Sequence, residues 1–169
     1  MTPMTDTLDW PRIADDLNAR GWAVVGPLLT PATCETLKAL YDHPERFRSR
    51  IVMQRHGFGQ GEYQYFANPL PDPLPRLRAR LYEGLAPIAD GWAARLERPG
   101  FSDSLDELDA PCRAGGQTRA TSLMLRYGPG DYNRLHQDLY GDLVFPLQAA
   151  LLLSDPAAFR GGGFELGAQ

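Results

Sequence analysis

Residues 126–138 read Arg126-Tyr127-Gly128-Pro129-Gly130-Asp131-Tyr132-Asn133-Arg134-Leu135-His136-Gln137-Asp138, and the fold turns on this stretch. Gly128-Pro129-Gly130-Asp131 is a turn between two short apolar or alternating runs, 123–127 and 132–136, which read as strands. In an extended strand residues i and i+2 project to one face, so His136 and Asp138 can reach the same metal ion. Imidazole plus carboxylate, with positions left open for substrate and oxygen, is the donor set that suits non-haem Fe(II). A His-x-acid triplet alone is a weak signal: His43-Pro44-Glu45 is a second instance, at a helix end, and reads as chance.

Outward from this stretch, residues 146–154 are another apolar strand-like run after a Gly141-Asp142 turn. Residues 155–162 form a loop with Pro156 and consecutive glycines, and 163–166 begin a further strand. Upstream the pattern is largely helical. Pro11 suits a first helical turn, with Trp10, Ile13 and Leu17 at helical spacing and Gly21 as a stop. Residues 22–25 read as a strand, and Thr30-Pro31 then opens a helix carrying Cys34, Leu37, Leu40 and Tyr41 that Pro44 ends. Residues 51–53 and 63–66 read as strands around Gly57-Phe58-Gly59-Gln60-Gly61, a hairpin or mobile loop whose context does not fit a phosphate site. From Pro73 onward, Leu74, Leu77, Leu81, Leu85, Ile88 and Trp92 keep a helical period as a core stripe, with Gly84 and Pro87 expected to bend the helix. Leu105, Leu108 and Cys112 allow a last short helix, broken by Pro111 and closed by Gly115-Gly116.

A chain of 169 residues can bury one sizeable core but not two, so a single domain over 1–169 is expected. Within it, 1–117 is a helical and strand support region and 118–169 the first part of a β core. The 17 Gly and 15 Pro imply many turns and lean toward β or mixed architecture. A net charge of −4 without a lysine or arginine block gives little reason to dock on phosphates, and no nucleic-acid partner is expected. No apolar run approaches the length of a membrane span, and Asp6 and Asp9 stand where a leader would be basic; no membrane partner and a cytoplasmic location are expected. Cys34 and Cys112 lack CxxC partners and read as small packing residues.

Taken together, RYGPGDYNRLHQD, LQAALLLS and FRGGGFEL resemble the Fe(II)- and 2-oxoglutarate-dependent dioxygenases, nearest the prolyl hydroxylase-like branch. Residues 21–41 look like that family's lead-in strand and helix. The resemblance implies an α+β chain with a double-stranded β-helix, a jelly roll whose mouth holds the iron, and N-terminal helices packed on it. It implies His136 and Asp138 as the first two members of a facial triad, 2-oxoglutarate as co-substrate, and room for ascorbate. The implied reaction hydroxylates an unactivated C–H bond of a small-molecule or peptide substrate, with succinate and CO2 as co-products. Tyr127, nine residues before His136, falls where a related branch that repairs alkylated nucleic acid places a tyrosine contacting 2-oxoglutarate. It also shares a strand face with Leu123 and Leu125, which would make it a core aromatic. Gln148 alternates with Ala150 and Leu152, and either lines the co-substrate pocket or faces water. Arg126 and Arg134 read as surface or substrate-side residues, and Arg55, His56 and Tyr63 as a substrate rim or solvated positions.

The family's third iron ligand is a histidine several tens of residues past the Asp, followed by a basic residue that holds the far carboxylate of 2-oxoglutarate. Only 31 residues follow Asp138, none of them His or Lys. The expectation is a C-terminally truncated chain with an incomplete barrel, whose exposed edge is open to self-association. Two rivals stand beside the oxygenase. One is a non-catalytic jelly-roll binding module or inactive fragment, favoured by the missing ligand. The other is a nucleic-acid demethylase, to which the Tyr-to-His spacing and His-Gln-Asp also correspond and against which the acidic balance speaks.

Overall fold

The structure, a computed structural model, describes residues 8–101, 103–108, 121–137 and 144–165. Asp138, the Gly141-Asp142 turn, Leu166 and the second half of the short helix expected around Leu105–Cys112 lie outside the described residues. The elements are α1 (Trp10–Arg20), α2 (Pro31–Ala39), β1 (Phe47–Val52), β2 (Gly59–Gln60), β3 (Glu62–Phe66), α3 (Leu74–Arg95), β4 (Leu123–Arg126) and β5 (Tyr132–Asn133), joined by short 3-10 turns. This is an α+β chain with small antiparallel sheets. It divides into two compact units, one comprising Met1–Cys34, Pro71–Gln117 and Phe145–Ala150, the other Glu35–Leu70, Thr118–Val144 and Leu151–Gln169. No helix among the described residues is long and apolar enough to cross a membrane.

In the first unit, the Asp9 carboxylate caps α1 by accepting from the Arg12 N–H at 3.1 Å, and Gly21, at φ +76°, ends it by donating to the Leu17 carbonyl. The apolar face buries Ile13 and Leu17. α3 runs without interruption through Pro87, and its most buried residues are Leu77, Tyr82, Ala86, Ala89 and Ala93. Gly84 is there for packing and not as a breaker: a Cβ on it would lie 2.1 Å from the Trp10 indole. Phe145 packs its ring 5.1 Å from Tyr82 and 5.0 Å from Phe101, whose N–H donates to Asp90.

Two expected strands fail here. Residues 22–25 and 146–154 carry no β-ladder, because a strand needs a neighbouring backbone to take its N–H and C=O groups and none among the described residues does so. The Val24 carbonyl accepts from the Arg12 side chain instead, at 3.3 Å, and Leu152 is 62% exposed. The same holds for the described part of 163–166.

The second unit is built on a three-stranded antiparallel sheet in the order β1-β3-β4. Arg50 pairs with Gln64, and Gln64 in turn with Met124. One face buries Gln64, Phe66 and Met124, with Phe47 stacked on Phe66 at 4.8 Å. The buried Gln64 amide is satisfied by donating to the Tyr41 carbonyl at 2.8 Å. The opposite face carries Tyr63, Tyr65, Leu123 and Leu125, and Leu125 is 46% exposed. β2 and β5 form a separate antiparallel pair, Gly59 opposite Asn133 and Gln60 opposite Tyr132.

Candidate active site

The glycine loop is a hairpin of an unusual kind, because it pairs outward to β5, which ends three residues before His136, so that the strand expected over 132–136 does not extend to the histidine. Its entry is a 3-10 turn, Met53–His56, closed by Gly57 at φ +71°. Gly59, at φ +136°, lies against β5 so closely that a Cβ would meet the Tyr132 carbonyl oxygen at 2.1 Å. Only glycine allows that approach. Beyond the two paired residues, the Arg134 N–H donates to the Phe58 carbonyl at 2.8 Å.

That bond holds the N–H side of Arg134, and the carbonyl of the same residue is the one His136 leans on. The His136 Nδ1 lies 2.7 Å from the Arg134 carbonyl oxygen. A carbonyl can only accept, so Nδ1 carries a proton, and in the neutral ring the lone pair is then on Nε2. This is the tautomer a metal-binding imidazole needs, held by a backbone partner on its other nitrogen. His136 is exposed. Asp138 lies outside the described residues, and among those residues no group of three His, Cys, Asp or Glu side chains gathers as a metal site.

Tyr127 is not a core residue. Its ring is 45% exposed, and Met124 is the residue of β4 that turns inward. The ring passes over Gly61, where a Cβ would lie 2.9 Å from Tyr127 Cδ1. Burial raises the pKa of its hydroxyl, a hydrogen bond from Asn133 partly offsets this, and nearby Asp131 pushes it up again. Asn133 stands on β5, so the structure brings Tyr127 to the strand that leads into His136. The turn between them is a type II turn: Gly130 has φ +82°, the Asp131 N–H donates to the Gly128 carbonyl at 3.1 Å, and the Asp131 carboxylate accepts from the Gly128 N–H at 2.7 Å. Tyr127, Gly128, Asp131, Gly61 and Glu62 line an open concavity of about 450 Å³.

One wall of this concavity is an ion-pair network that the sequence did not suggest. Arg126 joins Glu62 at 2.5 Å and Asp42 at 3.1 Å, and its guanidinium lies 4.3 Å from the centre of the Tyr41 ring. Arg50 holds the other oxygen of Glu62. Burial pushes the Glu62 carboxyl up, but the hydrogen bonds from Arg50 and Arg126 outweigh it and hold the group below its ordinary range. Burial first, and Glu62 second, push the Tyr41 hydroxyl up to about 12. Arg126 thus ties β4 to β3 and to the 3-10 turn that follows α2. Arg134 contributes its backbone to the His136 support. Gln148 is exposed and belongs to the first unit, and His43 pairs with Glu45 at 3.2 Å on the surface.

Sequence reasoning missed Gly59, Gly61, Asn133 and Glu62. The first two were signalled by three glycines at alternate positions, a pattern that marks repeated close backbone approach as readily as mobility.

No solved structure matches the chain. Two relatives from Mycobacterium tuberculosis, named "Uncharacterized protein MT2286" and "Uncharacterized protein Rv2227", are each 46% identical over 140 residues, covering 74% of this chain and 60% of the relative. The chain thus spans about 60% of the length of the curated relatives it matches. Residues 61–169 match the model of a family described as "Oxygenase, catalysing oxidative methylation of damaged DNA". This overturns the expectation of a small-molecule or peptide substrate without nucleic acid. The reasoning failed because it averaged charge over the whole chain: the unit holding His136 has nine Lys or Arg against nine Asp or Glu, and the other unit eight against twelve. The excess acid lies away from the motif in sequence, and charge of one unit says little about contacts made by another. With 109 of its 169 residues matched, the chain belongs to this family of oxygenases.

Proposed function

We propose that this chain carries the first two iron ligands of an Fe(II)- and 2-oxoglutarate-dependent oxygenase that demethylates damaged DNA bases. The observation that carries the reading is the family match over 61–169, which contains the His136 motif. When bound, Fe(II) and 2-oxoglutarate would activate dioxygen, placing one oxygen atom in succinate as CO2 leaves and the other on the N-methyl carbon, whose hydroxymethyl product releases formaldehyde and the repaired base.

The chain's own residues supply binding and orientation. His136, with Nδ1 engaged by Arg134, presents Nε2 as a ligand, and Asp138, two residues on, is the second. Tyr127, whose raised pKa keeps its proton, donates to a carboxylate of the co-substrate. Ascorbate would serve as reductant. The reading also includes a jelly roll near the prolyl hydroxylase-like branch, completed by chain beyond Gln169 that brings the third ligand and the carboxylate anchor. The greater length of the relatives supports it.

The test is anaerobic titration with Fe(II) and 2-oxoglutarate, followed by the visible charge-transfer band of the chelate, on this chain and on a C-terminally extended one. We expect the extended chain to show the band, His136→Ala to abolish it, and formaldehyde to appear when a methylated oligonucleotide and oxygen are added. Absence of the band from both chains would sink the oxygenase reading.

A further inference from the structure

Residues 46–61 carry Arg46, Arg48, Arg50, Arg55 and His56 and not one acid, which makes this the most basic stretch of the chain. It is also almost wholly outside the family match, which starts at residue 61. Two of its arginines are engaged: Arg50 by Glu62, and Arg48 over the Tyr65 ring at 4.3 Å. Arg55 is exposed at the end of the 3-10 turn, and no ion pair or hydrogen bond takes up its guanidinium among the described residues.

Next to it stands an aromatic pair. The Phe58 ring is 46% exposed and stacks on His56 with centroids 5.4 Å apart and planes 21° from parallel. The ring is not presented by a loose loop, because both backbone groups of Phe58 are used: its N–H donates to Met53 and its carbonyl accepts from Arg134. A held backbone with an outward ring has already lost the ordering entropy that binding would otherwise cost. The carbonyl of the same residue, Arg134, accepts from His136, so two hydrogen bonds through Arg134 link this ring's backbone to His136.

We propose that residues 46–61 form a contact surface for a single DNA strand, in which Arg55 meets phosphate and the His56–Phe58 pair stacks on an unpaired base. The inference rests on the damaged-DNA reading above and adds where the strand lies. An exposed cation with no partner among the described residues, beside a stacked, half-open aromatic pair, complements a strand that offers phosphates and base faces together. An enzyme that works on a base must take it out of the duplex, and this surface would hold the strand beside the metal ligand.

The test is fluorescence anisotropy of the full chain with a labelled twelve-nucleotide single strand bearing 2-aminopurine, across a salt series. Phe58→Leu should weaken binding at least about fivefold and lose the 2-aminopurine quenching, with the salt slope unchanged. Arg55→Gln should lower the slope of log K against log salt by about 0.7 and leave the quenching in place. Arg78→Gln, in the other unit, should change neither. If wild type binds and both loop variants match it, or if Phe58→Leu merely lowers Tm without touching affinity, the surface is wrong and the DNA reading survives. If wild type binds no strand at low salt, the surface and the DNA reading fall together.

Discussion

Gly61 has φ +111°, and a Cβ there would press on the Tyr127 ring at 2.9 Å; Gly57 has φ +71° with nothing within 4 Å of its Cβ position. The pair separates backbone strain from steric conflict. Gly57→Ala should destabilise the protein by about 1 kcal/mol, the usual cost of a left-handed L-residue. Gly61→Ala should cost about 2–3 kcal/mol, since the ring must also move, and it should disturb whatever Tyr127 binds. Thermal denaturation of the two variants checks this, and equal losses would mean that the ring yields freely. The surroundings of Tyr127 were not legible in the sequence, because Gly61 lies 66 residues away and meets the ring only through the pairing of β3 with β4, and Asn133, six residues on, is turned back to it by the Gly128–Asp131 turn.

At the scale of elements, the helices were readable because their signals are local: Asp9 and Gly21 cap α1, and Thr30 caps α2 by accepting from the Thr33 N–H at 3.2 Å. Strands were less so. The apolar run 146–154 looks like a strand by composition, but a ladder is a property of two segments, and Phe145 was instead drawn to Tyr82 and Phe101. Helix pairing gives a direct test. Gly84→Ala places a methyl inside the Trp10 indole and should cost about 1–3 kcal/mol, lowering Tm by several degrees; no change would mean that Trp10 does not rest there in solution. The sheet gives another. Glu62 is clamped between Arg50 and Arg126, which holds its carboxyl below the ordinary 4.5. A group with a depressed folded pKa contributes stability above its unfolded pKa and loses it as pH falls through the folded value. Wild type should therefore exceed Glu62→Gln in stability at neutral pH, and the gap should close as pH drops below 4.5.

For the whole molecule, the two units carry different charge, one acidic and one balanced, so an overall pI near 5.3 misdescribes the surface near the motif. The chain should migrate as an acidic protein and still bind single-stranded DNA, with a modest salt dependence. For two or three phosphate contacts the slope of log K against log salt should be about −2. A slope near zero would assign binding to stacking alone. That the chain is an oxygenase was legible from the order of its parts, a turn, a His-x-Asp triplet and a glycine-rich loop. The damaged-DNA substrate described for the matched family was not, because substrate choice resides in loops whose partners a sequence does not display.

The hydrogen bond from Arg134 to Phe58 also sets a clock. That amide proton exchanges with solvent only when the glycine loop lifts from the β2–β5 pair, so its deuterium uptake times the opening of the loop while the core amides of β3 remain protected. The Gln60 and Tyr132 amides should follow the same rate if the loop opens as a unit. A strand lying across Phe58 would slow all three together, giving a readout of occupancy that needs neither label nor turnover.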